Sequence, residues 1–178
     1  MSKSFAFHGV ACSLALCIAI GALVSIPASA QEKDGAGAVV SGKASSKDVG
    51  LPIYPGSKPH KDKDKDSEAV NLGMWGGGAG FKLAVMKMQS DDNPEKVAAF
   101  YKKALSKYGK VLDCSNPAPT NAEKDDSSKE LSCGDDKPEK GGLLYKAGTK
   151  DKQHIVGVQA NGQGSLYQLV SVGSWGTK

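Results

Sequence analysis

Hydrophobic and polar positions alternate with a period of two in two neighbouring stretches of this chain. Val70, Leu72 and Met74 alternate with Asn71, Gly73 and Trp75, and Phe81, Leu83 and Val85 alternate with Lys82, Ala84 and Met86. A period of two sends successive side chains to opposite faces of a strand, so these stretches predict a hairpin turned at Gly76–Gly80. The glycines invite comparison with a phosphate-binding loop, where bare backbone N–H groups approach an anion. No Lys-Ser/Thr pair follows them and a strand opens instead of a helix, so a loose hairpin turn is the better reading.

The period changes to three and four in DDNPEKVAAFYKKALSKYGK, residues 91–110. Val97, Phe100, Tyr101, Ala104, Leu105 and Tyr108 fall on one helical face, and Lys96, Lys103, Lys107 and Lys110 lie toward the other. Asp92 or Asn93 suits the cap, Pro94 the first helical position, Glu95 the positive end and Gly109 the stop. The lysine face reads as solvated surface more than as an anion-binding surface.

Short strand candidates follow at Lys110–Cys114, Glu130–Cys133, Leu143–Ala147, His154–Gln159 and Leu166–Val172, with a polar loop over 115–130. Strands, one helix, then more strands describe an α+β domain: an antiparallel sheet of about five to six short strands with one amphipathic helix packed on one face. Before the hairpin, DVGLPIYPGSKP from Asp48 is extended and turns at Pro55–Gly56, and Leu51, Ile53 and Tyr54 would pin it to the domain.

The amino terminus carries a different pattern. Lys3 precedes an uncharged apolar run from Val10 to Ile26, Pro27 breaks it, and Ala28-Ser29-Ala30 offers small residues to a signal peptidase. A cleaved signal over residues 1–30, cut between Ala30 and Gln31, is expected. Seventeen apolar residues are short for a hydrocarbon core of about 30 Å, so no stable membrane span is expected after cleavage. Cys12 and Cys17 lie inside the run without a good lipidation box. Residues 31–47 are small, polar and glycine-rich and read as a flexible tether, which leaves 48–178 as a single domain.

Export reshapes the rest. Of four cysteines only Cys114 and Cys133 remain, and in an oxidising compartment such a pair predicts a disulfide; a redox or zinc motif would show closer spacing or more ligands. The loop closed is about 20 residues, which corresponds to about 3 kcal/mol on chain-entropy grounds. All 23 basic residues are lysines against 19 acids, and losing Lys3 leaves a mild positive excess. Without arginine the chain lacks the planar fork that reads phosphates and guanine edges, so nucleic acid is not an expected partner.

Chemical motifs are thin. Asp62, Asp64 and Asp66 resemble the opening of a calcium loop, but Ser67 stands where glycine belongs, Gly73 where a bidentate glutamate belongs, and lysines intervene. A solvated loop is the better reading of these candidate metal ligands, and no cofactor is expected. Residues Gly162–Leu166 do not complete a G-x-S-x-G nucleophile motif. His154, with Asp151 nearby, is the one weak catalytic candidate, although a lone histidine at a strand start is usually structural. His60 has no second histidine near it for zinc. The adjacent pairs Asp91–Asp92 and Asp125–Asp126 do not converge on one substrate from their contexts.

LPIYPGS (Leu51–Ser57), then a hairpin, then PEKVAAFYKKALSKYG (Pro94–Gly109) resembles a group of exported bacterial proteins of uncharacterised function. They share a signal sequence, a Y-P-G-A/S segment and a helix with an F-Y-x-x-x-L pattern; Ser57 stands here where alanine is common. The resemblance covers about the first half of the mature domain and implies an exported α+β domain, with no catalytic residue. The expected function is a periplasmic or secreted, non-enzymatic binding or accessory module. Its sheet face or the aromatics Tyr54, Trp75, Tyr145, Tyr167 and Trp175 would contact an envelope protein or glycan. The alternatives are a small secreted hydrolase using His154, and electrostatic attachment through the helix lysines.

Overall fold

A computed structural model describes residues 35–61, 68–116 and 131–176. The signal segment with Ala30 and Gln31, the aspartates Asp62, Asp64 and Asp66, and most of the polar loop with Asp125 and Asp126 lie outside the described residues.

The architecture is an antiparallel sheet with helical cover on one face. The strands are β1 (Gly37–Ser41), β2 (Lys58–Pro59), β3 (Ala69–Gly76), β4 (Ala79–Ser90), β5 (Leu112–Asp113), β6 (Leu143–Thr149), β7 (Lys152–Asn161) and β8 (Gly164–Trp175). Their order is β1-β3-β4-β8-β7-β6-β5, with β2 pairing the far end of β4. Helix α1 (Ser46–Val49) precedes β2, and α2 (Pro94–Leu105) follows β4, prolonged by a 3-10 turn at Ser106–Tyr108.

The hairpin forms where alternation placed it, with a tighter turn. Gly76 pairs with Ala79, leaving Gly77 and Gly78 as the two loop residues, both at positive φ of 57° and 77°. A two-residue loop with both centres left-handed matches the twist of the strands, and glycine reaches it without a Cβ penalty. Asn93 caps α2, its side-chain oxygen accepting from the Lys96 N–H at 2.9 Å, and Pro94 opens it. Val97, Ala98, Tyr101 and Leu105 are buried, as the helical period requires.

Those side chains meet the sheet face formed by Ala84, Met86 and Met88 of β4, Tyr167 and Leu169 of β8, Val156 and Val158 of β7, and Tyr145 and Ala147 of β6. The register sets these residues side by side: Met86 faces Leu169, Leu169 faces Val156, and Val156 faces Tyr145. Asp48 and Val49, expected as extended, are helical in α1; the extended segment after Gly50 closes one flank, with Leu51 and Tyr54 buried and Ile53 packed against the cluster. Tyr101 holds it: its hydroxyl accepts from the Tyr54 N–H at 3.1 Å and donates to the Pro52 carbonyl at 3.0 Å.

Four expectations need correction. Among the described residues the sheet has eight strands, not five to six, and β4, β7 and β8 run to 12, 10 and 12 residues. Strand ends such as Gly164–Ser165 and Gly173–Trp175 carry little apolar signal, yet their backbones pair as well as any. Residues 37–41, read as tether, form the edge strand β1 against β3, because Val39 and Val40 support pairing despite glycine-rich surroundings. A second short helix, α1, joins α2 on the same face. Leu131–Cys133, expected as strand, is irregular; the disulfide to Cys114 (Cα–Cα 5.5 Å) and a bond from Lys146 Nζ to the Ser132 carbonyl (3.2 Å) hold it instead of a ladder.

Candidate binding face

The helices cover only part of their sheet face. Beyond α1, the register aligns Gly37 of β1, Trp75 of β3, Gly80 of β4 and Trp175 of β8 in one row across four adjacent strands. Glycine and tryptophan alternate, so each indole folds over the glycine of the next strand. A Cβ at Gly37 would fall 2.5 Å from Cζ2 of Trp75, and one at Gly80 would run into the six-membered ring of Trp175. Glycine is required at both positions because the ring occupies the space above the backbone; an aromatic lying over a glycine also returns apolar contact that the glycine cannot supply.

Both indoles remain open to solvent, Trp75 at 46% and Trp175 at 53% exposure. The next row on this face is Val39, Gly73, Lys82, Gly173 and Lys152. Gly73 lies beneath the Val39 side chain, whereas a Cβ at Gly173 would meet nothing within 4 Å, so the surface dips there. Lys82 Nζ stands 3.5 Å from Asp48 Oδ1 at the margin set by α1. Hydrogen bonds from the Ser45 hydroxyl and backbone N–H hold the Asp48 carboxyl below its ordinary range, and Lys82 adds to the effect. The result is a flat aromatic floor with charged hydrogen-bonding groups along one side.

The other expected contact aromatics are elsewhere. Tyr54, Tyr145 and Tyr167 are core residues at 6%, 3% and 3% exposure. Tyr54 and Phe100 meet edge to face, Tyr101 tilts against Tyr167, and Lys102 lies over the Tyr145 ring. Of the five, only Trp75 and Trp175 are exposed.

His154 is buried at 3% exposure, in a row it shares with Ala84, Ser171 and Ala147. Its ring stacks on Tyr108 and its Nδ1 lies 3.0 Å from the Val49 carbonyl. Burial pushes its pKa down, the Val49 carbonyl opposes this, and the charges acting on it are the cations Lys152 and Lys107. Asp151 lies exposed in the β6–β7 turn, so the structure does not assemble the expected pair. Ser165 is buried, its hydroxyl donating to the Asp92 carbonyl at 3.0 Å. Asp92 itself accepts from Lys96 Nζ at 2.8 Å, which most lowers its pKa, and from Tyr54 Oη at 2.7 Å, which lowers it further. Among the described residues no group of three or more His, Cys, Asp or Glu is placed to hold a metal.

The helix lysines are partly engaged. Lys96 pairs with Asp92, Lys102 with Asp113, and Lys107 donates to the Gly50 carbonyl. On the opposite face of the sheet, a cleft of about 340 Å³ lies between the 137–142 loop and residues including Lys87, Gln159, Leu166 and Gln168. His60 at its margin contacts Gln89, Nδ1 to Oε1 at 2.8 Å. Among the described residues no helix is long and apolar enough to cross a membrane.

The glycines that seat the indoles were missed in the sequence. Gly37 and Gly80 each lie on a different strand from the indole they seat, so no contiguous motif marks them. No protein-family model, curated protein or solved structure matches this chain.

Proposed function

We propose that this chain is an exported, non-enzymatic binding or accessory module of the cell envelope, whose ligand lies on the open half of the sheet face against Trp75 and Trp175. The observation that carries this reading is the alternating row Gly37, Trp75, Gly80, Trp175. Exposed tryptophan is costly to leave in water, and aromatic residues are enriched where surfaces bind. Here two indoles are held half-bare on one face by glycines that admit no side chain. The Cys114–Cys133 bridge supports work in an oxidising compartment, periplasmic or extracellular.

The hydrolase alternative rested on His154, whose ring is enclosed by Tyr108 and the Val49 carbonyl, and no observation favours it. Of the helix lysines Lys96, Lys103, Lys107 and Lys110, Lys96 and Lys107 are engaged internally, and no observation favours attachment through the group.

The test is retention of the exported protein on washed cell-wall polymer and, separately, on envelope protein fractions. Wild type is expected to be retained on one of them, and the W75A/W175A variant about a hundredfold less, a difference of about 2.8 kcal/mol. Retention that is equal for both, or absent for wild type on every fraction, would sink the reading.

A further inference from the structure

We infer that the ligand of the tryptophan face is an extended polysaccharide of β-1,4-linked pyranoses with equatorial hydroxyls, lying across the strands along the row from Gly37 to Trp175. This inference rests on the binding reading above and names the ligand class.

Three observations carry it. The first is shape. Each indole lies over the backbone of a glycine, so what it offers is a flat ring and not a pocket. Protein partners concentrate their binding energy in side chains inserted into well-packed pockets. A pyranose with equatorial hydroxyls is itself flat, and its axial C–H bonds make both faces apolar, so it stacks on an exposed ring while its hydroxyls point outward around the edge.

The second observation is spacing. The Trp75 ring covers Gly37 on β1 and the Trp175 ring covers Gly80 on β4, and these strands are separated by β3. The rings are therefore two strand spacings apart, about 10 Å. Successive sugars in an extended β-1,4 chain face opposite ways, so alternate sugars present the same face. That repeat matches two strand spacings, and one chain seats both rings through sugars n and n+2.

The third observation is the rim. Lys82, Lys152 and Asp48 line the side toward α1, one row from the rings, with the dip at Gly173 between the lysines. They supply donors and an acceptor at the level where equatorial hydroxyls emerge from a stacked ring. On the other side β3 and β4 end in the two-residue turn at Gly77–Gly78.

The experiment titrates the intact exported protein with cello- and chito-oligosaccharides of one to six units, read by tryptophan fluorescence and calorimetry. Affinity is expected to be negligible for one or two units and to step up at three, when both rings are first engaged. W75A or W175A alone should lose about tenfold, and the double variant should abolish binding. Both rings are half exposed, and unchanged circular dichroism would establish that the variants fold; W75F and W175F, which keep a flat ring, should retain most of the affinity. Tryptophan-dependent retention on envelope protein that no oligosaccharide competes away would overturn this inference and leave the binding reading standing. Retention indifferent to both tryptophans would remove the two together. Oligosaccharide binding that showed no step at three units, or survived the double variant, would also overturn it.

Discussion

His154 lies face to face with Tyr108, ring centroids 3.5 Å apart and planes 15° from parallel, while its Nδ1 sits 3.0 Å from the Val49 carbonyl. A carbonyl only accepts, so Nδ1 carries the proton, and among the described residues the buried Nε2 has no hydrogen-bond partner. The neutral ring ties β7 to α1 and to the turn after α2. Protonating Nε2 would place a charge and a second N–H in a dry site beside Lys152 and Lys107.

The pH dependence follows from the direction of that shift. Burial lowers the folded pKa below the ordinary value of 6.5, so beneath that pH the unfolded chain binds a proton that the native chain resists. Stability is full above about pH 6.5 and declines as pH falls from there toward the folded pKa. Asp48, Asp92 and Asp113, held below 3.8, lose their contribution only in stronger acid, so the two windows separate. Urea midpoints from pH 8 to 5 are expected to fall for wild type. His154→Phe should be less stable at pH 8 by about 1 kcal/mol, through the lost Val49 bond, yet flatter in this range. An equal slope in the variant would refute the assignment.

Tyr101 is expected to matter through its hydroxyl as well as its ring. That oxygen is the partner of a buried backbone N–H at Tyr54 and of the Pro52 carbonyl, and it joins the 48–59 segment to α2. Tyr101→Phe leaves both groups unpaired at almost unchanged shape, a cost of about 2 kcal/mol in chemical denaturation. Because burial first of all raises its pKa, wild-type Tyr101 should remain unionised in an alkaline titration that ionises exposed tyrosines. A loss below a few tenths of a kcal/mol would mean water replaces the hydroxyl.

Much of this fold could be read from residue patterns, and the reason lies in which forces are local. Asn93, Pro94 and the spacing of Val97, Tyr101 and Leu105 act within a few residues, so α2 was legible to its cap. The β3–β4 hairpin was legible because its turn glycines and alternation are contiguous. Edge strand β1 was not, since Gly37–Ser41 has no pattern of its own and becomes a strand only by pairing with β3. The binding face was half legible. Trp75 and Trp175 stood out as aromatics, but whether an aromatic is core, like Tyr145 and Tyr167, or surface depends on register between strands almost a hundred residues apart.

Lys146 and Asp136 test a different balance. Lys146 is nearly buried, donating to Asp136 at 2.5 Å and to the Ser132 carbonyl at 3.2 Å, whereas Asp136 is half exposed. Removing the carboxylate leaves a buried ammonium with one backbone partner, and removing the lysine leaves a carboxylate that water reaches. Asp136→Ala is therefore expected to destabilise more than Lys146→Met, which keeps the apolar stem. The reverse order in urea midpoints would show that the pair acts mainly through the aspartate.

The Cys114–Cys133 bridge should be worth more than its local contacts. Cys114 is buried at the end of β5, its N–H donating to the Leu144 carbonyl at 2.8 Å, and its partner lies 19 residues on. Breaking the bridge frees the unfolded chain to explore conformations that a closed loop forbids, about 3 kcal/mol for a loop of this length. The double Cys→Ala variant should unfold at a lower urea midpoint by that amount, and reductant should do the same to wild type. The tryptophan face is remote from the bridge along the sheet, so any ligand affinity should survive below the new midpoint.

Gly80 and Gly173 provide a matched pair on one face of the sheet. Glycine in a strand costs conformational entropy, so alanine ordinarily stabilises by about 0.5–1 kcal/mol when the backbone and space permit. A Cβ at Gly173 meets nothing within 4 Å, and Gly173→Ala should raise the urea midpoint with unchanged tryptophan emission. At Gly80 the same methyl runs into the Trp175 ring, which must swing off the strand and give up its contact. Gly80→Ala is therefore expected to gain nothing or to destabilise, to shift emission to longer wavelength as the indole enters water, and to weaken binding as strongly as Trp175→Ala. If the two glycines responded alike, the indole would not be seated on Gly80 and the ordered row would lose its physical basis.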